Sequence, residues 1–188
     1  MIEKLIYFDT LTTNFIKNIL PQNDFFDLFF SFFSIKGNSI IVWILVIILA
    51  LFFEEKKHPG ISKKDKKFII AFTLSFFITT FIVEYPLKNI FQRQRPISNS
   101  FSNNSIKFQL FLTKCPASFS FPSGHAATAF ALSTVLSLFD KKRRLFYYFI
   151  AFLIAYSRIY LGCHYFLDVL GGGILGIIIA KMMLKILI

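Results

Sequence analysis

Five apolar runs, separated by charged or polar breaks, constrain this chain more than any other feature. Ile40 to Phe53, lengthened at its start by Ser34 to Ser39 and closed by Glu54-Glu55-Lys56-Lys57, is the first. Phe68 to about Leu87 is the second, Phe121 to Phe139 the third, Leu145 to Leu161 the fourth and Tyr165 to Ile188 the fifth. A bilayer core of about 30 Å takes roughly 20 helical residues to cross. The expected fold is therefore all-α: a polytopic membrane helical bundle of five transmembrane helices, built as one domain over residues 1–188. With 55% hydrophobic residues, 27 Phe and a mean hydropathy of +0.63, the chain is too apolar to keep its surface wet. Residues 1–35 fit less easily, because Leu5, Ile6, Phe8, Phe15, Ile16 and Ile19 mix with polar residues and Pro21-Gln22-Asn23-Asp24 interrupts before Phe25 to Phe33. They read as an interfacial amphipathic segment followed by a short aromatic one, the place for a sixth helix or a re-entrant segment. Glu3, Asp9 and Lys17 keep this start from reading as a signal peptide.

The 21 Lys and Arg exceed the 10 Asp and Glu, a net charge of +11 that in a soluble protein would suggest nucleic acid. Here the basic residues fall in short loops between apolar runs, which points to membrane topology and anionic headgroups, with no nucleic-acid partner. Lys56, Lys57, Lys63, Lys64, Lys66 and Lys67 follow the first run, Lys141, Lys142, Arg143 and Arg144 the third, and Lys181 and Lys185 lie near the C-terminus. The positive-inside rule assigns these to the cytoplasm and the breaks after the second and fourth runs to the opposite side.

The polar residues with chemical capacity all lie on that opposite side, in three clusters. Ser157-Arg158 and Gly162-Cys163-His164 precede Asp168, which is four residues beyond His164 and so can share a helix face with it. Gly162 offers a break that lets Arg158 and His164 both point inward. In a second cluster, Lys88 and Arg95 are seven apart, on nearly one helix face without nearby acids, with Pro96 putting the Arg95 guanidinium at the helix exit. The third is Pro122-Ser123-Gly124-His125, where Pro suits a first helical turn and the amides of Ser123, Gly124 and His125 would form an anion site. Each cluster alone also reads as a helix cap or a set of solvated charges. Together they fit phosphoryl transfer, in which cations and amides stabilise an anionic transition state, one His attacks phosphorus and the other protonates the leaving oxygen. No carboxylate cluster of metal-ligand type stands on this side, so metal-free chemistry without a cofactor is expected.

In this order and spacing, Lys88-x6-Arg95-Pro96, Pro122-Ser123-Gly124-His125 and Ser157-Arg158-x5-His164-x3-Asp168 resemble the three-part signature of the type-2 phosphatidic acid phosphatase superfamily. The resemblance implies His164 as nucleophile, Asp168 as its orienting partner and His125 as general acid. It also implies Lys88, Arg95, Ser123, Gly124 and Arg158 as a phosphate cradle, with metal-independent hydrolysis of a lipid phosphate among membrane lipids. By size the chain is similar to bacterial members acting on undecaprenyl diphosphate, which implies the cytoplasmic (inner) membrane with the site on its non-cytoplasmic face. Phosphatidylglycerophosphate, phosphatidate and lipid A stay open as substrates, because the signature reads phosphate and not the tail. A transporter or flippase would expect charges near span centres, and here they stand at span ends.

Three smaller features carry expectations of their own. Gly172-x-x-x-Gly176 permits close helix approach as ordinary packing. Ile106 to Leu112, an apolar run inside the long polar segment from Arg93 to Phe121, is expected at the interface, helping to admit a lipid tail. Cys115 and Cys163 fall on one side of the membrane, and separate buried thiols are favoured over a disulfide.

Overall fold

The computed structural model describes residues 2–34, 41–48, 63–96, 115 and 117–187. The ends of the first expected span, the basic loop up to residue 62 and the run Ile106 to Leu112 lie outside the described residues. Among the described residues every regular element is helical. These are α1 (Ile2–Lys17), α2 (Asp24–Ser34), α3 (41–48), α4 (Lys63–Ile82), α5 (Lys88–Phe91), α6 (Gly124–Phe139), α7 (Arg144–Tyr160) and α8 (Phe166–Leu187). A π-helical stretch, Val83–Leu87, joins α4 to α5 around Pro86, whose ring nitrogen has no hydrogen to donate to the helix.

Helix α6 is the hub. Its alanines Ala126, Ala127, Ala129 and Ala131 are buried and slim, so α4, α7 and α8 all pack against it. On the α8 side the approach is closest where Gly176 meets the backbone of Ala127 and Ala131 and Gly172 meets that of Ser123. A methyl group at either glycine would overlap main-chain atoms, so the small-residue spacing acts here through packing. On the α7 side, Ser133 Oγ donates to Tyr147 O at 2.7 Å, and Phe139 meets Phe68 of α4 at 5.0 Å between ring centres.

The N-terminal segment packs on α7 and α8. Phe30 of α2 lies between Tyr156 and Tyr160, and the Tyr160 hydroxyl donates to Asp27 Oδ1 at 2.9 Å. The other side of α1 exposes Leu5, Tyr7, Phe8, Leu11 and Phe15.

Two described helical stretches are long and apolar enough to cross a membrane, Lys66–Phe91 and Phe166–Leu187. The 22 residues of the second reach ~33 Å at a helical rise of 1.5 Å. Gly124–Phe139 is apolar but shorter. Five spans are therefore more than these helices establish by length.

Two local expectations are corrected. The helix carrying Lys88 stops at Phe91, where Gln92 takes a left-handed conformation (φ 45°), so Lys88 and Arg95 do not share one helix face. Pro122 does not sit in the first turn of α6 either, since Ser123 is the N-cap and Pro122 precedes it.

Candidate active site

The site lies where the exit of α5, the entry of α6 and the turn between α7 and α8 meet. Helix α7 ends at Tyr160, and Gly162, at φ 68°, turns the chain back so that the amides of Cys163 and His164 both donate to Arg158 O, at 3.0 and 3.1 Å. A side chain at position 162 would be strained in that left-handed conformation. The turn buries His164 beside Arg158, each only 1% exposed.

Beyond Gln92 the chain runs back across the site, and Ser120 N donates to Arg93 O at 2.7 Å. Arg95 thereby reaches inward: its Nε donates to Ser118 O at 2.7 Å, and its Nη1 lies 2.8 Å from Cys163 O and 2.9 Å from His164 Nε2. A guanidinium only donates, so Nε2 is the accepting nitrogen and the proton of the neutral ring is on Nδ1. Nδ1 faces Ser120 Oγ at 3.4 Å and Asp168 Oδ2 at 3.5 Å. The same Asp168 oxygen takes a short hydrogen bond from Ser120 Oγ and another from Tyr165 N at 2.8 Å, while Arg93 Nη1 pairs with Oδ1 at 2.7 Å. Asp168 thus stands beside the Nδ1 side of the ring, with Ser120 packed against both groups.

His164 stands in the turn outside both helices, and its pKa is lowered from the usual 6.5 to about 3. Burial is the main cause, the Arg158 and Arg95 charges add to it, and Asp168 opposes it. The unfolded chain would take up a proton below about 6.5 that the folded protein refuses until about 3. His164 thus costs no stability above about 6.5, and stability falls as the pH drops through that window. Thermal unfolding in detergent should show the loss, at most about 1.4 kcal/mol per pH unit, and His164→Gln should flatten it. Equal pH slopes for the two proteins would contradict this.

Lys88 is 3% exposed and held by Glu84, one turn before it, at 2.7 and 2.8 Å, and by Ser118 Oγ at 3.1 Å. The expectation of two cations without nearby acids is therefore corrected: Glu84 is an acid at the site. It also borders Gly124, where an added Cβ would run into Glu84 Oε1.

Ser123 is buried and caps α6, its Oγ accepting from Ala126 N at 3.5 Å. Its own amide donates to Asp168 O at 2.9 Å, so it is engaged and not available to an anion as expected. The amides of Gly124 and His125, in the first turn, have no acceptor within the helix and keep the anion-binding character of a helix N-terminus. The His125 side chain is half-buried and lies within the electrostatic field of Arg158, His164, Lys88 and Arg95. All eight residues singled out from sequence thus fall in one region.

Sequence reasoning missed Ser118, Ser120, Arg93, Glu84, Asp9 and Thr13. Arg93 bridges Asp168 and Asp9, its Nη2 standing 2.6 Å from Asp9 Oδ2. The arginine spaced two residues before Arg95 was the only local signal. The cysteines are also corrected: Cys115 and Cys163 form a disulfide, with Cα atoms 5.4 Å apart. The physical reason is the return of the chain along the His164 turn, fixed by Ser118 and Phe119 on Arg95. Among the described residues, no group of three His, Cys, Asp or Glu side chains could hold a metal ion.

Known proteins resemble this chain in sequence and fold. A family model described as the PAP2 superfamily matches residues 66–187. The undecaprenyl-diphosphatase of Sulfolobus acidocaldarius is 32% identical over 136 residues, covering 72% of this chain; the match spans 58% of that relative's length. The lipid A 4'-phosphatase of Bacteroides thetaiotaomicron is 29% identical over 180 residues, 94% of this chain and 75% of that protein. The crystal structure of Aquifex aeolicus LpxE is similar at a TM-score of 0.62 and 31% identity, covering 94% of each chain.

Proposed function

Because the chain belongs to the PAP2 superfamily, we propose that it is an integral membrane lipid phosphatase that works through a phosphohistidine at His164. The observation that carries this is the buried, neutral imidazole whose accepting Nε2 faces Arg95 while Nδ1 faces Asp168. Such a ring is a nucleophile already in the required tautomer.

A phosphate brought to Lys88, Arg95, Arg158 and the first amides of α6 would draw Arg95 off His164 Nε2 and onto a phosphoryl oxygen. The exposed lone pair then attacks phosphorus, forming the N–P bond as the bond from phosphorus to the leaving oxygen breaks. His125 gives its proton to that oxygen. Water next attacks the phosphohistidine, His125 takes the water's proton, and phosphate departs with the N–P bond broken. The ring carries positive charge while phosphorylated, and the Asp168 carboxylate, with Ser120, stabilises it.

The substrate we propose is undecaprenyl diphosphate, in line with the archaeal relative. A lipid A phosphatase is the second reading, favoured by a relative that matches 94% of this chain. In this proposal the chain forms a membrane bundle with five transmembrane helices in a bacterial inner membrane, with the site on the non-cytoplasmic face. The test is phosphate release by purified protein from a panel of undecaprenyl diphosphate, lipid A, phosphatidylglycerophosphate and phosphatidate. Fastest release from undecaprenyl diphosphate is expected, a preference for lipid A would favour the second reading, and no release from any would overturn the function.

A further inference from the structure

Helix α1 supplies acceptors to the start of α8, the helix that carries Asp168. Three successive amides there have no carbonyl partner in the helix ladder. Tyr165 N donates to Asp168 Oδ2 at 2.8 Å, Phe166 N to Thr13 Oγ1 at 2.9 Å, and Leu167 N to Asp9 Oδ1 at 2.9 Å. Asp9 stands 158 residues before Leu167 in the chain and is fully buried, although many of its neighbours on α1 are exposed. Its second oxygen pairs with Arg93 Nη2 at 2.6 Å, and the other terminal nitrogen of Arg93 pairs with Asp168 Oδ1 at 2.7 Å. The guanidinium also lies over the Tyr165 ring, 4.1 Å from its centre.

This connects Asp9 to His164 through two groups. Arg93 takes one oxygen of Asp168 and leaves the other to face Ser120, Tyr165 N and His164 Nδ1. With Asp168 as its only carboxylate partner, Arg93 could pivot and let that carboxylate rotate. Gripped at both ends, it cannot. We propose that Asp9 is a positioning residue for the nucleophile: through Arg93 it fixes the rotation of Asp168 and hence the orientation of the His164 ring. The first helix is thereby part of the catalytic apparatus. The inference rests on His164 being the nucleophile.

Asp9→Asn is the discriminating variant, because the amide oxygen can still accept from Leu167 N while the carboxylate partner of Arg93 is lost. On a short-chain soluble phosphate ester it should lower kcat ~10- to 100-fold, the scale of a small misplacement of a reacting group. KM and inhibition by inorganic phosphate should stay within about threefold, since the phosphate cradle is untouched. Arg93→Lys, which keeps a cation but cannot bridge two carboxylates through a rigid fork, should reproduce the loss. It serves as the second variant if the first does not fold. The double variant Asp9→Asn/Arg93→Lys should be no slower than Arg93→Lys alone, because the two residues act in series. Wild-type kcat in both single variants, equal losses of kcat and phosphate affinity, or additive losses in the double variant would overturn the proposal. If the wild-type protein hydrolyses no phosphate ester, the proposed function fails, and the positioning claim is decided without turnover. The imidazole nitrogen shifts of His164 should then differ between wild type and Asp9→Asn, and identical shifts would overturn it.

Discussion

His164→Ala should lower turnover on the order of 10⁴-fold or more while leaving the protein folded, because it removes the atom proposed to form the bond to phosphorus. The ring is 1% exposed and packed among Arg95, Ser120 and Asp168, so truncation also removes a neutral group from between cations and a carboxylate. Phosphate should still bind, since Lys88, Arg158 and the α6 amides are unchanged and Arg95 loses only a competing acceptor. The measurement is kcat on a soluble ester alongside inhibition by inorganic phosphate. A variant that turns over at the wild-type rate would remove His164 from the mechanism.

Asp168→Asn should cost nearly as much, about 10³- to 10⁴-fold in kcat, for a different reason. Arg93, Ser120 Oγ and Tyr165 N all donate to this carboxylate. An amide at the same place presents its own N–H groups to one set of these donors whichever way it is turned. Turned with its nitrogen toward Oδ2's partners, it would also favour a proton on the wrong nitrogen of His164, with Nε2–H now facing phosphorus. The expected result is a fall in kcat with a smaller change in KM. A variant within tenfold of wild type would mean that Asp168 does no more than cap α8.

Local chemistry was legible in the sequence, and chemistry that depends on distant chain segments was not. His164 and Asp168 are one helical turn apart and Gly162 marks a break, so short spacing makes each legible, whereas the start of α6 reads too early from Pro122 and falls later, with Ser123 as the N-cap. The Gly172 and Gly176 packing on α6 follows from the same kind of local pattern. Lys88 and Arg95 depart from their helical spacing because the helix ends in a left-handed residue at Gln92, between the two. Glu84 was passed over because an acid four residues before a lysine reads as a surface pair, whereas here the lysine is buried.

Asp9 illustrates the larger limit. In sequence it is one of several polar residues on an amphipathic segment, and it served only as an argument against a signal peptide. Its burial and its place beside Arg93 and Leu167 arise from the docking of α1, which no local spacing encodes. The disulfide is hidden in the same way, since the approach of Cys115 to Cys163 depends on the docking of Ser118 and Phe119 on Arg95, far apart in sequence. Span number is hard to read from hydropathy when α6 is an apolar helix of 16 residues, short for a bilayer and mostly covered by its neighbours.

In the proposed mechanism, phosphate passes through one nitrogen of one histidine. Wild-type protein mixed with a phosphorus-labelled ester, quenched in base within the first turnover and digested, should yield a base-stable, acid-labile phosphate on the peptide carrying His164. No trapped phosphate under conditions of rapid turnover, or a label on His125, would contradict it.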